Sequence, residues 1–161
     1  MKSCVFPGSF DPVTIGHTEL IRRASALFDR VTVTVMVNIN KKGCIPVDTR
    51  VELLRKALKN LPNVRVDRWN GLLADYMKEK GETCILRGVR NASEFDAENT
   101  AAAINRRLNP EVCTLLMPAD DEMACVSSSA VRELAAFGGD PRPFLPKETA
   151  EEIMKALSNN I

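Results

Sequence analysis

His17 is the only histidine of the chain, and it closes the run P-G-S-F-D-P-V-T-I-G-H at residues 7–17. Gly8 and Ser9 let the backbone turn sharply, and Gly16 opens a helical pattern with His17 in its first turn. The unpaired N–H groups and positive dipole end of such a helix start form a seat for phosphate. A lone histidine is often structural, but this position favours a functional one. Cations recur further along. Lys41 lies on a polar stretch after a β-branched run, where a flexible ammonium can reach a phosphate; a solvated loop charge is the plainer reading of it taken alone. Arg87 and Arg90 follow the apolar triplet C-I-L into what reads as a glycine-containing turn. They offer rigid forks for phosphate oxygens or, on the plainer reading, a pair of surface salt bridges. Ser127, Ser128 and Ser129 suit a helix cap or phosphate contacts, and the two are compatible.

The missing chemistry is as informative. The sequence has no Ser/His/Asp set, no supported Cys/His pair, no Walker lysine motif and no cluster with metal-ligand spacing. What remains is a group of cations, serines and helix starts around one histidine. That inventory suits a reaction in which negative charge is steadied and no proton need be abstracted. Adenylyl transfer to a phosphate has this character, because the nucleophile is already an anion.

These residues need a scaffold that gathers loops. Val5-Phe6 reads as a short strand that stops at Pro7-Gly8, followed by a helix from about Gly16 to Asp29. The run V-T-V-T-V-M-V over residues 31–37 suits a strand covered on both faces. A helix follows around Val51, Leu54, Ala57, Leu58 and Leu61. Strands are then expected at Val64–Trp69, Thr83–Leu86 and Val112–Met117, alternating with helices at Leu72–Lys80, Ser93–Leu108 and Ser127–Phe137. A proline-rich connector leads to a last amphipathic helix through Ile153, Met154 and Leu157. Ala101, Ala102, Ala103 and Ile104 predict close helix packing, and Trp69 and Met154 read as packing residues too. Such alternation calls for an α/β fold with a parallel sheet and helices on both faces, with ligands outside the carboxyl ends of the strands.

Composition limits the function classes. A chain of 161 residues favours a single domain over 1–161. A formal net charge of +1 argues against a broad nucleic-acid or acidic-membrane surface, so no nucleic acid and no membrane are expected as partners. The opening apolar stretch is too short for a signal peptide, and no run reaches the length of a membrane span. The five cysteines are odd in number and lack zinc or redox spacing, so structural thiols in a reducing, cytoplasmic compartment are expected.

The stretch P-G-S-F-D-P-x-x-x-G-H resembles the signature of the bacterial phosphopantetheine adenylyltransferases, within the nucleotidylyltransferase superfamily marked by [HT]-x-G-H. Four further segments match in order: Asn38-x-Asn40-Lys41-Lys42, Gly71-Leu72-Leu73-x-Asp75-Tyr76, Arg87-Gly88-Val89-Arg90 with Glu94-Phe95-x-x-Glu98 and Asn105-Arg106, and Val126-Ser127-Ser128-Ser129-x-Val131-Arg132. The resemblance covers nearly the whole chain. It implies a single Rossmann-like domain with a five-stranded parallel sheet, and transfer of AMP from ATP to 4′-phosphopantetheine. The products would be dephospho-coenzyme A and pyrophosphate.

By resemblance His17, Lys41 and Arg90 would be catalytic, with His17 at the α-phosphate. Ser9, Phe10, His17, Gly88, Val89, Arg90, Glu98, Met123, Ala124, Cys125, Val126, Ser127, Ser128 and Ser129 would hold ATP. Ser9, Lys41, Leu73 and Arg87 would hold the phosphopantetheine. Mg2+ would be held mainly by nucleotide phosphates, with no dedicated protein metal site. The family pattern also implies a homo-oligomer, a hexamer, and coenzyme A as feedback inhibitor. This chain departs from relatives that read N-P-x-K-K-P, having Ile39 and Gly43 at the prolines; Met123 and Ala97 stand where some carry aromatic residues. Those departures bear on affinity and feedback more than on the reaction. The rivals are a superfamily enzyme acting on nicotinate mononucleotide or using CTP on an alcohol phosphate, and a non-catalytic nucleotide sensor.

Overall fold

The computed structural model describes residues 1–37 and 43–159. Five strands alternate with helices: β1 (Ser3–Gly8), α1 (Ile15–Leu27), β2 (Arg30–Met36), α2 (Val47–Ala57), β3 (Val64–Trp69), α3 (Leu73–Lys80), β4 (Cys84–Val89), α4 (Ala92–Leu108), β5 (Cys113–Pro118), α5 (Ser128–Ala136) and α6 (Ala150–Ser158). All pairings are parallel and the sheet order is β3-β2-β1-β4-β5. The order reverses between β1 and β4, which is where ligand crevices form in open α/β sheets.

Strand alternation divides the core between two faces. Cys4 and Phe6 of β1 and Leu86 of β4 join one cluster with Leu20 and Ile21 of α1, Leu54 of α2 and Ile153 of α6. Their neighbours Val5 and Ile85 point the other way, into a smaller cluster with Tyr76 and Met77 of α3. Trp69 packs on that second cluster and Met154 on the first, as the sequence suggested. Val31, Val33 and Val35 of β2 are fully buried.

Two strands run further than expected, and both extensions matter. β1 continues through Pro7 and Gly8, paired with Thr34 and Val35. Proline lacks an N–H for a ladder bond. The pairing of β1 with β4 is accordingly confined to Val5 and Ile85, and the Pro7 carbonyl accepts a hydrogen bond from the Arg87 guanidinium instead. β4 also runs past Leu86: Arg87, Gly88 and Val89 pair with Leu116, Met117 and Pro118. These three residues belong to a strand end, not to a turn, because the ladder holds a polar residue and a glycine as readily as an apolar run.

Gly88 is fixed by close packing. A Cβ there would lie 2.2 Å from Cδ1 of the buried Leu20, so α1 sits directly on the strand. Gly88→Ala should lower stability by about 1–3 kcal/mol, the usual range for overpacking. For a chain of this length that is a fall of about 2–4 °C in melting temperature per kcal/mol, readable by calorimetry.

α4 departs from expectation. It lies beside β4, β5 and α3 yet buries none of its residues; of the stretch Ala101–Ile104 only Ala102 is half-buried, and Ile104 is 56% exposed. Phe95, Leu108 and, on β5, Leu115 are exposed as well. Cys113 is exposed on the edge strand, whereas Cys4 is buried with its thiol pushed up to about 12 by that burial. The five cysteines are unpaired. No helix among the described residues is long and apolar enough to cross a membrane.

Candidate active site

At the carboxyl ends of β1 and β4 the chain leaves a cleft of about 310 Å³. Its walls include Ser9, His17, Arg87, Gly88, Arg90, Glu98, Met123, Val126, Ser127 and Ser128, drawn from four separate parts of the sequence. A second cavity of about 340 Å³ shares Pro7, Gly8, Ser9, Arg87 and Glu98 with it and adds Met36, Leu73, Asn105 and Thr114. Each lies at the lower end of the range for small-molecule pockets, and the common wall makes them one two-lobed cleft. Two ligands meeting over Ser9 and Arg87 would fit that shape.

His17 is held by one ring nitrogen, and the other has no hydrogen-bond partner among the described residues. Thr14 caps α1 and His17 occupies the third helical position. The Thr14 backbone N–H donates to Nδ1 at 3.1 Å, and the Thr14 hydroxyl lies 2.9 Å from the same nitrogen. This is a capping box with histidine in the place usually taken by Glu or Gln. An N–H donating to Nδ1 requires its lone pair, so a neutral ring carries its proton on Nε2, the outward nitrogen. The ring is braced edge-on by Phe10, centroids 5.0 Å apart. The structural and functional readings of the lone histidine are therefore both met, one per nitrogen.

Burial, then the nearby Arg87 and Arg90, pull the His17 pKa down from its ordinary 6.5 to about 4. The group is thus a neutral hydrogen-bond donor at working pH. Because the folded value is the lower one, protonation favours the unfolded chain. Stability is unaffected by this group above about pH 6.5 and declines as pH falls from there towards 4. The ring resonances should titrate in NMR near pH 4, with no His17 step in activity between pH 8 and 5. A midpoint near 6.5 would contradict this environment.

The two arginines are set by carboxylates of α4. Arg87 forms a fork on Glu98, Nε to Oε2 at 2.8 Å and Nη2 to Oε1 at 2.5 Å, and also donates to Pro7 O. Arg90 pairs with Glu94 through both its guanidinium and its backbone N–H, and reaches the Val126 carbonyl at 2.7 Å. Glu94 is held below the usual carboxylate range chiefly by the hydrogen bond from Arg90. The salt bridges of the plainer reading exist, yet both arginines line the cleft. Each pair fixes its fork in one orientation.

The serine segment supplies a helix start. Ser127 caps α5, accepting from Ala130 N at 3.0 Å, and Ser128 Oγ donates to Pro12 O at 2.7 Å. α5 thus points its N-terminus at the cleft, beside that of α1.

Not every expected residue lines the cleft. Phe10 is buried at 1% exposure beneath it, with a positive φ of 46°, and Val89 is buried too. Ala124, Cys125 and Ser129 are exposed but form no part of its wall. Leu73 lies in the second lobe only. Lys41 falls outside the described residues. Sequence reasoning gave no individual role to Thr14 or Glu94, whose roles are to set His17 and Arg90. The Thr14–His17 spacing was the available signal, disguised by a histidine in the capping position. Among the described residues no group of three His, Cys, Asp or Glu side chains is placed to hold a metal ion.

A family model described as cytidylyltransferase-like matches residues 5–134. The phosphopantetheine adenylyltransferase of Heliobacterium modesticaldum is 44% identical over 161 residues, covering 100% of this chain and 96% of its own. That of Clostridium tetani is 41% identical over 159 residues, with 99% of each chain covered. Among solved structures, a bifunctional NMN adenylyltransferase/ADP ribose pyrophosphatase from Francisella tularensis superposes with a TM-score of 0.75 at 14% identity, over 98% of this chain and 50% of that one. A candidate nicotinate-nucleotide adenylyltransferase from Vibrio parahaemolyticus gives 0.63 at 16% identity, over 96% and 99%. These distant structures share the Rossmann-like nucleotidyltransferase fold. The end-to-end identity of the nearer relatives carries the finer assignment: this chain belongs to the cytidylyltransferase-like family and, within it, to the phosphopantetheine adenylyltransferases.

Proposed function

We propose that the chain transfers the adenylyl group of ATP to 4′-phosphopantetheine, giving dephospho-coenzyme A and pyrophosphate. The observation that carries this reading is the two-lobed cleft, with a neutral His17 and the paired Arg87 and Arg90 at its centre. A phosphate oxygen of the acceptor attacks the α-phosphorus of ATP; a new P–O bond forms and the bond to the β-phosphate bridge breaks. The leaving pyrophosphate takes the electron pair, and no proton need be removed by the protein.

The residues' work is positioning and charge stabilisation. Nε2–H of His17 donates to the α-phosphate as its charge builds. Arg90 and the starts of α1 and α5 receive the nucleotide phosphates, with Gly88, Glu98, Met123, Val126, Ser127 and Ser128 around the nucleoside. Arg87, Ser9 and Leu73 hold the phosphopantetheine, whose arm follows the second lobe. Lys41 would approach the reacting phosphates.

The donor set of the cleft fits a magnesium ion carried by substrate. Glu94 and Glu98 are both engaged by arginines, leaving hydroxyls and water as companions to phosphate oxygens. Mg2+ would supply neutralisation of pyrophosphate charge.

The exposed Ile104 and Leu108, one turn apart on the same side of α4, support a homo-oligomer, since neighbouring large apolar residues on a surface mark contact sites. Light scattering should give a mass several times the 17.8 kDa of one chain, six times for the hexamer. Coenzyme A, sharing the phosphopantetheine arm, would compete for the same lobes. A cytoplasmic location accords with unpaired thiols.

Acceptor profiling tests the assignment. Pyrophosphate release should be fastest with 4′-phosphopantetheine, ahead of nicotinate mononucleotide with ATP and of alcohol phosphates with CTP. Preference for nicotinate mononucleotide would overturn the roles given to Leu73 and Arg87.

A further inference from the structure

Two charged residues that touch neither lobe of the cleft are nearly buried, and both spend their hydrogen bonds on backbone. Asp11 is 7% exposed. Its carboxylate accepts from the N–H groups of Cys44 at 2.7 Å and Ile45 at 2.8 Å. Arg50, in the first turns of α2, is 6% exposed. Its Nε donates to Ile45 O and its Nη1 to Ser9 O, each at 2.8 Å. The segment 44–45 is thereby tied to residues 9–11 by both ends of its peptide groups. Arg132 adds a hydrogen bond to Asp11 O from the far side of the turn.

Buried charges are costly unless paired, so burying two of them to fix backbone points to geometry as their purpose. Gly43 belongs to the same arrangement. A Cβ at that position would lie 2.7 Å from Nη2 of Arg50, so a side chain there would push the buried fork off its two carbonyls.

The brace reaches the proposed reaction centre at one end, where it holds the Ser9 carbonyl in the turn that leads to His17. Its other end holds the backbone of Cys44 and Ile45 at the entry to α2. We propose that Asp11 and Arg50 are positioning residues of the adenylyl transfer, fixing the Ser9–His17 turn against residues 44–45 at the entry to α2, with Gly43 as the space that admits Arg50. The role rests on the function proposed above. It predicts a larger effect on the chemical step than on nucleotide affinity, because the brace holds the Ser9 carbonyl, whereas Arg90 and Ser127 are set by Glu94, the Val126 carbonyl and the start of α5.

The test uses the full chain and three variants: Asp11→Asn, which removes one of two acceptors; Arg50→Lys, which keeps charge and loses the fork; and Gly43→Ala, which keeps both. Steady-state kinetics with ATP, Mg2+ and 4′-phosphopantetheine are read beside the alkylation rate of Cys44, followed by peptide mass spectrometry in the absence of substrate. Each folded variant should lose at least tenfold in kcat with the KM for ATP within threefold, and its Cys44 should alkylate at least fivefold faster. Should Arg50→Lys fail to fold, Gly43→Ala still decides. Variants that keep kcat, or lose it with Cys44 unchanged, overturn the positioning role while leaving the functional reading intact. A wild-type chain with no transfer activity overturns that reading, and this role with it, whatever happens at Cys44.

Discussion

Replacing His17 with alanine should lower kcat by about 10²–10³-fold, the scale of losing one oriented transition-state donor. The geometry says why so much rests on one ring. Nδ1 is committed to the Thr14 N–H, which turns Nε2–H towards the cleft, and the depressed pKa keeps the ring neutral. Its orientation is set before substrate arrives, so little reorganisation is needed as charge develops. The substitution also removes half of a capping box, a loss of about 1 kcal/mol in stability. That smaller effect is separable: melting temperature should fall by only a few degrees, and ATP affinity should change a few-fold at most. Activity within a few-fold of wild type would reduce His17 to a helix cap.

The second large effect belongs to Arg87. Arg87→Ala should lower kcat/KM for 4′-phosphopantetheine by about 10²-fold, the loss of one or two hydrogen bonds to a charged group. Arg87 stands on the wall common to both lobes, gripped by Glu98 and seated on Pro7 O at the seam between β1 and β4. Arg87→Lys should recover only part of the activity, since an ammonium cannot make the two-pronged contact with Glu98 and still reach Pro7. Saturation kinetics in each substrate would separate the roles. A loss falling wholly on the KM for ATP would move Arg87 to the nucleotide side.

Much of this site is legible in the sequence because its residues follow strands. The β-branched run at 31–37 and the apolar triplet before Arg87 locate strands, and the order of elements then places the loops together. What periodicity cannot reach is hydrogen bonding between distant segments. Arg87 and Gly88 look like a turn until the ladder with Leu116 and Met117 is seen. Asp11 is one letter of a motif and Arg50 an ordinary helix arginine, yet each grips backbone across more than thirty residues of sequence. The alanine-rich stretch of α4 reads as close packing in the sequence. This helix does lie beside β4, β5 and α3, but it buries no residue fully and leaves Ile104 exposed, because small apolar residues do not say how deeply a neighbour covers them. Lys41, to which the resemblance gives a role, falls outside the described residues.

The most direct test is the product formed by the purified chain from ATP, Mg2+ and 4′-phosphopantetheine, identified by mass. The account predicts dephospho-coenzyme A with one pyrophosphate released per product. A folded, ATP-binding chain that releases no pyrophosphate with this acceptor would contradict it, leaving the fold in place and the cleft to another phosphorylated ligand.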